Sequence, residues 1–121
     1  LSSGPLANLK TLCLSNNKIG NAGVVALAGA VSSGALPQLQ DLRLHFNKIR
    51  DPGTVALADA LSSEWLTLTL NDNPIGDVGF QALAQAVASG SLPKKSLFVG
   101  HPGTEHPALK AACESRGVKL Y

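Results

Sequence analysis

Residues 39–49 read Leu-Gln-Asp-Leu-Arg-Leu-His-Phe-Asn-Lys-Ile, and the recurrence of this pattern along the chain determines the architecture. Its apolar residues and its asparagine stand in the spacing Leu39-x-x-Leu42-x-Leu44-x-x-Asn47-x-Ile49. The same spacing begins again at Leu9 and at Trp65, so the chain consists of internal repeats. The other two copies are Leu9-x-x-Leu12-x-Leu14-x-x-Asn17-x-Ile19 and Trp65-x-x-Leu68-x-Leu70-x-x-Asn73-x-Ile75.

Each repeat contains two segments with different hydrophobic periods. The Leu-x-Leu alternation predicts a short strand with one buried face. The Ala- and Leu-rich segments at 26–31, 56–61 and 82–87 predict helices. We expect Asn21, Asp51 and Asp77 to cap these helices by accepting hydrogen bonds from first-turn amides. Gly34 and Gly90 follow the first and third helices and predict helix stops. Gly23, Gly53 and Gly79 recur near the helix starts and predict close backbone approaches.

One repeat cannot bury its own leucine face, whereas stacked repeats bury a continuous core, and three or more are generally needed for stability. The sequence predicts one domain over residues 1–121, divided into repeats at about 6–35, 36–61, 62–91 and a degenerate C-terminal repeat at 92–121. The approach to the third strand is shortened at 61–65, where Trp65 replaces the first leucine. The fourth repeat has Lys94 at that position and Pro102 at the asparagine position.

The pattern resembles the ribonuclease-inhibitor-like class of leucine-rich repeats, whose repeats run to just under about 30 residues and contain full helices. The resemblance implies an α/β fold: a right-handed β-α superhelix, or horseshoe segment, with a parallel concave sheet and outer helices. It also implies that a protein binds on the concave face or its rim. Two segments are similar to repeats of nucleotide-sensing immune receptors and of Ran GTPase-activating protein: Asn17-x-Ile19-Gly20-x-x-Gly23 and Asn73-Pro74-Ile75-Gly76-x-x-Gly79.

The recurring asparagines Asn17, Asn47 and Asn73 are predicted to be structural residues rather than a binding site. In a motif of this kind the Asn side chain bonds backbone groups of the turn, which stacking would otherwise leave without partners.

Candidate contact residues follow from the strand alternation. If the leucines point inward, the residues between them face the concave side. The expected rows across the strands are Cys13, Arg43, Thr69, Phe98 and Lys119; Ser15, His45, Asn71, Gly100 and Tyr121; and Thr11, Asp41, Thr67 and Ser96. Because Arg and aromatic side chains are frequent binding anchors, we predict protein contacts at Arg43, His45, Thr69, Asn71 and Phe98, with Phe46 and Asp72 at the rim.

Composition and motifs disfavour several other functions. A net charge of +2 is too small to argue for nucleic acid. No apolar run approaches the roughly 18 residues that indicate a membrane span, so none is expected. A catalytic triad of Ser15, His45 and an aspartate would lack an oxyanion hole. His101 and His106 lack further ligands at metal-binding spacing, which favours chance surface histidines. We expect no enzyme activity, cofactor, metal or small-molecule substrate.

Three functions remain open. The first is a protein-interaction module, the second a regulator of an enzyme in trans such as a GTPase-activating protein, and the third a structural end segment of a solenoid.

The concave face of five short strands has an area on the order of 300 Å², whereas a standard interface buries about 800 Å² per partner. Together with a start in mid-repeat, this predicts the C-terminal part of a longer protein. Two cysteines and no signal peptide favour the cytoplasm.

Overall fold

The computed structural model describes residues 8–60, 65–91 and 93–121. The shortened approach at 61–64 and the first seven residues lie outside this part. The strands are β1 (Thr11–Cys13), β2 (Asp41–Arg43), β3 (Thr67–Thr69), β4 (Ser96–Phe98) and β5 (Lys119–Leu120). The helices are α1 (Asn21–Ser32), α2 (Asp51–Ala60), α3 (Asp77–Ala88) and α4 (Pro107–Arg116), with a 3-10 turn at Gly103–Glu105.

The five strands form one parallel sheet in the order β1-β2-β3-β4-β5, and each described helix packs against the next. The central leucine of each strand stands beside its counterpart, from Leu12 through Leu42 and Leu68 to Leu97. Leu42, Leu68 and Leu97 are fully buried. The predicted α/β solenoid with a parallel sheet is therefore confirmed. We call the exposed side of the sheet the concave face.

Trp65 takes the first leucine position of the third repeat and is buried, with 2% of its surface exposed. Its carbonyl oxygen accepts a hydrogen bond of 2.9 Å from the amide of Lys94, the residue at the same position of the fourth repeat. A large aromatic side chain therefore occupies the core where the other complete repeats have leucine, and its backbone still pairs with the next repeat.

Helices α1 and α3 end where the sequence predicts. Helix α1 is followed by Ser33 and by Gly34 at a φ of +83°, and α3 is followed by Ser89 and Gly90 at the same φ. Gly117 closes α4 at a φ of +71°. These left-handed conformations favour glycine because a Cβ atom would be strained there.

The predicted helix caps are wrong in one respect, because their side chains reach the next repeat instead of their own helix. Asn21 Oδ1 accepts hydrogen bonds from the amides of Arg50 and Gly53, at 2.9 and 3.0 Å. Asp51 Oδ1 accepts one from the amide of Gly76 at 2.6 Å. Both residues are the first of their helix rather than the residue before it. This position directs the side chain toward the neighbouring helix start.

The contacts between successive helix starts continue to the fourth repeat through a histidine. Asp77 Oδ1 lies 2.8 Å from His106 Nε2, and His106 Nδ1 accepts a hydrogen bond from the amide of Leu109. His106, which the sequence suggested was a chance surface residue, therefore caps α4 and joins it to α3.

The close backbone approaches predicted at the recurring glycines are confirmed for the second and third repeats. A Cβ atom added at Gly53 would lie 2.8 Å from Asn21 Oδ1, and one at Gly79 would lie 2.8 Å from Asp51 Oδ1. Glycine is needed there because the side chain of the preceding repeat occupies the space.

Asparagine side chains hold the turns that follow the strands. Asn47 Nδ2 donates to the carbonyls of Leu14 and Leu44, both at 3.0 Å, and Asn47 Oδ1 accepts from the amides of Asn17 and Ile19. Asn73 repeats this arrangement one repeat further along: its side chain donates to the carbonyls of Leu44 and Leu70 and accepts from the amide of Ile49. Each of these two asparagines therefore ties its own repeat to the preceding one.

Strand β5 pairs two residues away from the expected register. Lys119 stands beside Ser96 and Leu120 beside Leu97, whereas the sequence placed Lys119 beside Phe98. Tyr121 therefore lies beside Phe98 rather than beside Gly100. A shift of two residues leaves every side chain on the same face of a strand, so alternation cannot distinguish the two registers.

Candidate functional site

A depression opens on the concave face where β2, β3 and β4 run side by side. Its volume is about 270 Å³. Five of the seven predicted contact residues line it, together with Thr67; the five are Arg43, His45, Thr69, Asn71 and Phe98. The structure places the other two, Phe46 and Asp72, in the turns that follow β2 and β3.

Arg43 is held in position by a carboxylate on its own strand. Its Nη2 atom lies 3.2 Å from Asp41 Oδ2, and its Nε atom donates to Asp41 Oδ1 at 3.4 Å. The hydrogen bond with Asp41 and the charge of its carboxylate raise the pKa of Arg43 above its ordinary value. The sequence carried a signal for this pair, since residues two apart on a strand share a face.

Thr69 and His45 form a partly buried polar pair at the floor of the depression. The Thr69 hydroxyl oxygen accepts a hydrogen bond from the amide of Leu44 at 3.1 Å and lies 2.8 Å from His45 Nδ1. Only 8% of Thr69 is exposed. Thr69 therefore orients the His45 ring and leaves little surface of its own for a partner.

The rim carries side chains on turns with left-handed backbone. Asn16, Phe46 and Asp72 occupy equivalent positions, with φ values of +61°, +56° and +61°. The Phe46 side chain is half exposed, and its ring stands edge-on to His45 with centroids 5.9 Å apart. Asp72 accepts a hydrogen bond from Asn71 Nδ2 at 2.9 Å. A bulky residue with positive φ is uncommon and points to a local constraint.

Phe98 forms the far wall of the depression and is stacked on Tyr121. The two ring centroids are 4.7 Å apart, with 20° between the ring planes. This contact follows from the register of β5 and was missed in the sequence, where Tyr121 was placed beside Gly100.

The two cysteines lie in opposite environments, and both are free thiols. Cys13 is exposed on β1, and its Sγ atom lies 3.3 Å from Ser15 Oγ. Hydrogen bonds with Ser15, helped by the charge of Arg43, lower the pKa of Cys13. Cys113 is buried in α4, and burial raises its pKa to about 11. The more acidic thiol is therefore the one that shares the concave face with Arg43.

Ser15 and His45, which a nucleophilic triad would pair with each other, have other hydrogen-bond partners. Ser15 is hydrogen-bonded to Cys13, and His45 to Thr69; the described residues show no hydrogen bond between Ser15 and His45. Across residues 8–60, 65–91 and 93–121, no three His, Cys, Asp or Glu residues are grouped to hold a metal ion. What the depression does offer is a fixed cation, an aromatic wall and amide and hydroxyl groups.

The longest helices have 12 residues, and none in the described part of the chain is both long and apolar enough to cross a membrane.

Comparison with known families gives one match. A family model described as a leucine-rich repeat matches three segments of the chain, residues 6–28, 36–58 and 62–84. Each matched segment contains one complete strand and most of the following helix. No curated protein matches the chain.

Proposed function

Because the chain belongs to the leucine-rich repeat family, we propose that it is a non-enzymatic protein-interaction module whose partner binds on the concave face. Repeats of this family commonly mediate protein–protein contacts, and the fold presents a regular surface rather than an enclosed active site. The proposed contact residues are Arg43, His45, Asn71 and Phe98 in the depression and Phe46 and Asp72 at its rim, and the nearly buried Thr69 contributes by orienting His45.

The depression between β2 and β4 is the observation that carries this proposal. It brings one cation and one aromatic ring to opposite walls, and both are already fixed, Arg43 by Asp41 and Phe98 by Tyr121. Side chains that are ordered before binding lose less conformational entropy on association. Arg and aromatic residues in such positions are the usual anchors of interfaces.

The rim extends the surface that a partner would bury. Phe46 is 51% exposed and lies against His45, which lines the depression. A ring kept at the surface on a left-handed turn gives up some stability, and contact with a partner is a reason to retain it.

Three finer points belong to the same proposal. A helix of three turns or nearly so in every described repeat supports the ribonuclease-inhibitor-like class. Leu12 and Leu14, in and directly after β1, are only partly buried, so this edge of the sheet offers apolar surface to a partner. Free thiols at Cys13 and Cys113 support a cytoplasmic location. The repeat boundaries at about 6–35, 36–61, 62–91 and 92–121 are part of this proposal as well.

Binding by the concave face is tested with Arg43→Glu and Phe98→Ala in a quantitative affinity capture from cell extract. Each variant should lose specific partners by about 30-fold or more, the loss typical of an interface anchor. Arg50→Glu, an exposed residue before α2, and Val78→Ala, 61% exposed on α3, make matched changes outside the depression and should retain those partners. If both concave variants keep every partner, the concave face is not the binding surface.

A further inference from the structure

A second cleft lies on the concave face at the end formed by β4 and β5. Its volume is about 350 Å³, and it is lined by Lys94, Lys95, Ser96, Gly117, Lys119 and Tyr121. Resting on the proposed function, we propose that this cleft binds an acidic segment of the protein that occupies the neighbouring depression.

The cleft is cationic and its backbone is fixed. Three of its six lining residues are exposed lysines, and none of the described lining residues carries a carboxylate side chain. The amides of Lys94, Lys95 and Lys119 donate to the carbonyls of Trp65, Leu66 and Lys95, at 2.9, 3.1 and 2.9 Å. The three lysine side chains therefore extend from hydrogen-bonded backbone at the edge of the sheet, which fixes the positions of their Cα atoms.

The excess of positive charge lies in the C-terminal part of the sequence, which contains the three lysines of the cleft. Residues 92–121 contain five Lys and Arg against two Asp and Glu, whereas residues 1–91 contain five against six. The net charge of +2 therefore arises entirely from the last quarter of the sequence. A local excess of positive charge favours the approach of a carboxylate-bearing partner to this part of the surface.

The cleft and the depression form one surface. Lys119 stands beside Ser96 on the concave face, and Tyr121, which lines the cleft, is stacked on Phe98, which lines the depression. Tyr121 is 50% exposed, so the stacked aromatic pair connects the two at the surface. A partner seated against Phe98 would place its next few residues over the lysines.

Carboxylates fit this surface better than nucleic acid. Nucleic-acid binding relies on a basic stripe that follows several successive phosphates. Here three lysines line a single cleft, and Arg43 of the adjoining depression is already paired with Asp41. Lysine binds a carboxylate as a point charge and needs no planar geometry, which suits a short acidic peptide.

The test measures fluorescence anisotropy of a labelled deca-glutamate peptide with the full 121-residue chain at low salt. The cleft variant Lys94→Glu/Lys95→Glu/Lys119→Glu should bind at least tenfold more weakly than the wild type. The control Lys18→Glu/Lys48→Glu/Lys110→Glu changes three exposed lysines elsewhere and alters the net charge by the same amount. It should stay within threefold of the wild type. Raising the salt should weaken wild-type binding because the charges are exposed.

Three results would overturn the inference. They are no peptide binding by the wild type at millimolar protein, an equal loss in both triple variants, or tighter binding of a deca-uridylate RNA than of the peptide. If the cleft variant does not fold by circular dichroism, the neutral set Lys94→Gln/Lys95→Gln/Lys119→Gln replaces it, with a threefold or greater loss expected and no loss overturning the inference. Arg43→Glu and Phe98→Ala test the concave-face proposal separately, because they leave all three lysines in place.

Discussion

The first and third repeats have the same sequence pattern but very different burial. Leu68 and Leu70 of the third repeat are fully buried, whereas Leu12 and Leu14 of the first are only partly buried. Helix α3 buries six residues and α1 only two. The third repeat has a described repeat packed on each side. In a solenoid the burial of a side chain is therefore set by the neighbouring repeats as much as by its own position in the motif.

The largest effect is expected when the equivalent leucine is replaced in the first and the third repeat. Leu68→Ala should lower the free energy of unfolding by about 2–5 kcal/mol, since it leaves a cavity in a closed core. Leu12→Ala should lower it by less than about 2 kcal/mol, because its surroundings are partly open and some of its surface stays in water. Urea unfolding followed by circular dichroism measures both values. Equal losses would show that β1 is as well covered as β3.

A smaller effect is expected at the asparagines. Asn73→Ala removes side-chain bonds to four backbone groups of two repeats, those of Leu44, Ile49, Leu70 and Asn71. It should lower the free energy of unfolding by about 1–3 kcal/mol, because buried backbone groups lose their partners. The same urea titration measures the loss.

The matched change in the first repeat is Asn17→Ala. The Asn17 side chain donates to the carbonyl of Ser15 in an exposed turn. Its replacement should lower the free energy of unfolding by less than about 1 kcal/mol, since water can take over that bond. A loss at Asn17 as large as that at Asn73 would argue against the importance of inter-repeat bonding.

The smallest expected effect concerns the recurring glycine near each helix start. A Cβ atom at Gly79 would lie 2.6 Å from Ile75 Cγ2 and 2.8 Å from Asp51 Oδ1, so Gly79→Ala should destabilise by about 1 kcal/mol. At Gly23 the new atom would meet, among the described residues, the partly buried Ile19 side chain at 2.9 Å. The better helix propensity of alanine should offset that contact and leave Gly23→Ala within about 0.5 kcal/mol of the wild type. Thermal unfolding of the two variants side by side resolves the difference.

Much of the fold could be predicted because the repeat motif determines it locally. Strand positions, the helix stops at Gly34 and Gly90, and the row from Cys13 to Phe98 all follow from fixed spacing and alternation. The register of β5 could not be predicted, because a shift of two residues preserves the inward and outward faces.

Side-chain partners were harder to predict than backbone elements. Asn21 and Asp51 were identified as helix-start residues, but their partners lie 25 to 32 residues away in sequence, at or beside the start of the next helix. In the candidate site the sequence identified Arg43 and Phe98 but not their fixed partners, Asp41 and Tyr121. The Arg43–Asp41 pair could have been predicted from the spacing along the strand. The stacking of Phe98 on Tyr121 could not, because it depends on the register of β5.

Each turn after the first three strands contains a variable residue followed by a recurring asparagine. Asn16, Phe46 and Asp72 share one backbone conformation although they carry an amide, an aromatic ring and a carboxylate. The residue that follows each of them is the recurring asparagine of its repeat, and Asn47 and Asn73 hold their turns through inter-repeat hydrogen bonds. The chemistry of the exposed side chain can therefore change at one position of the turn while the neighbouring asparagine preserves the backbone of the scaffold.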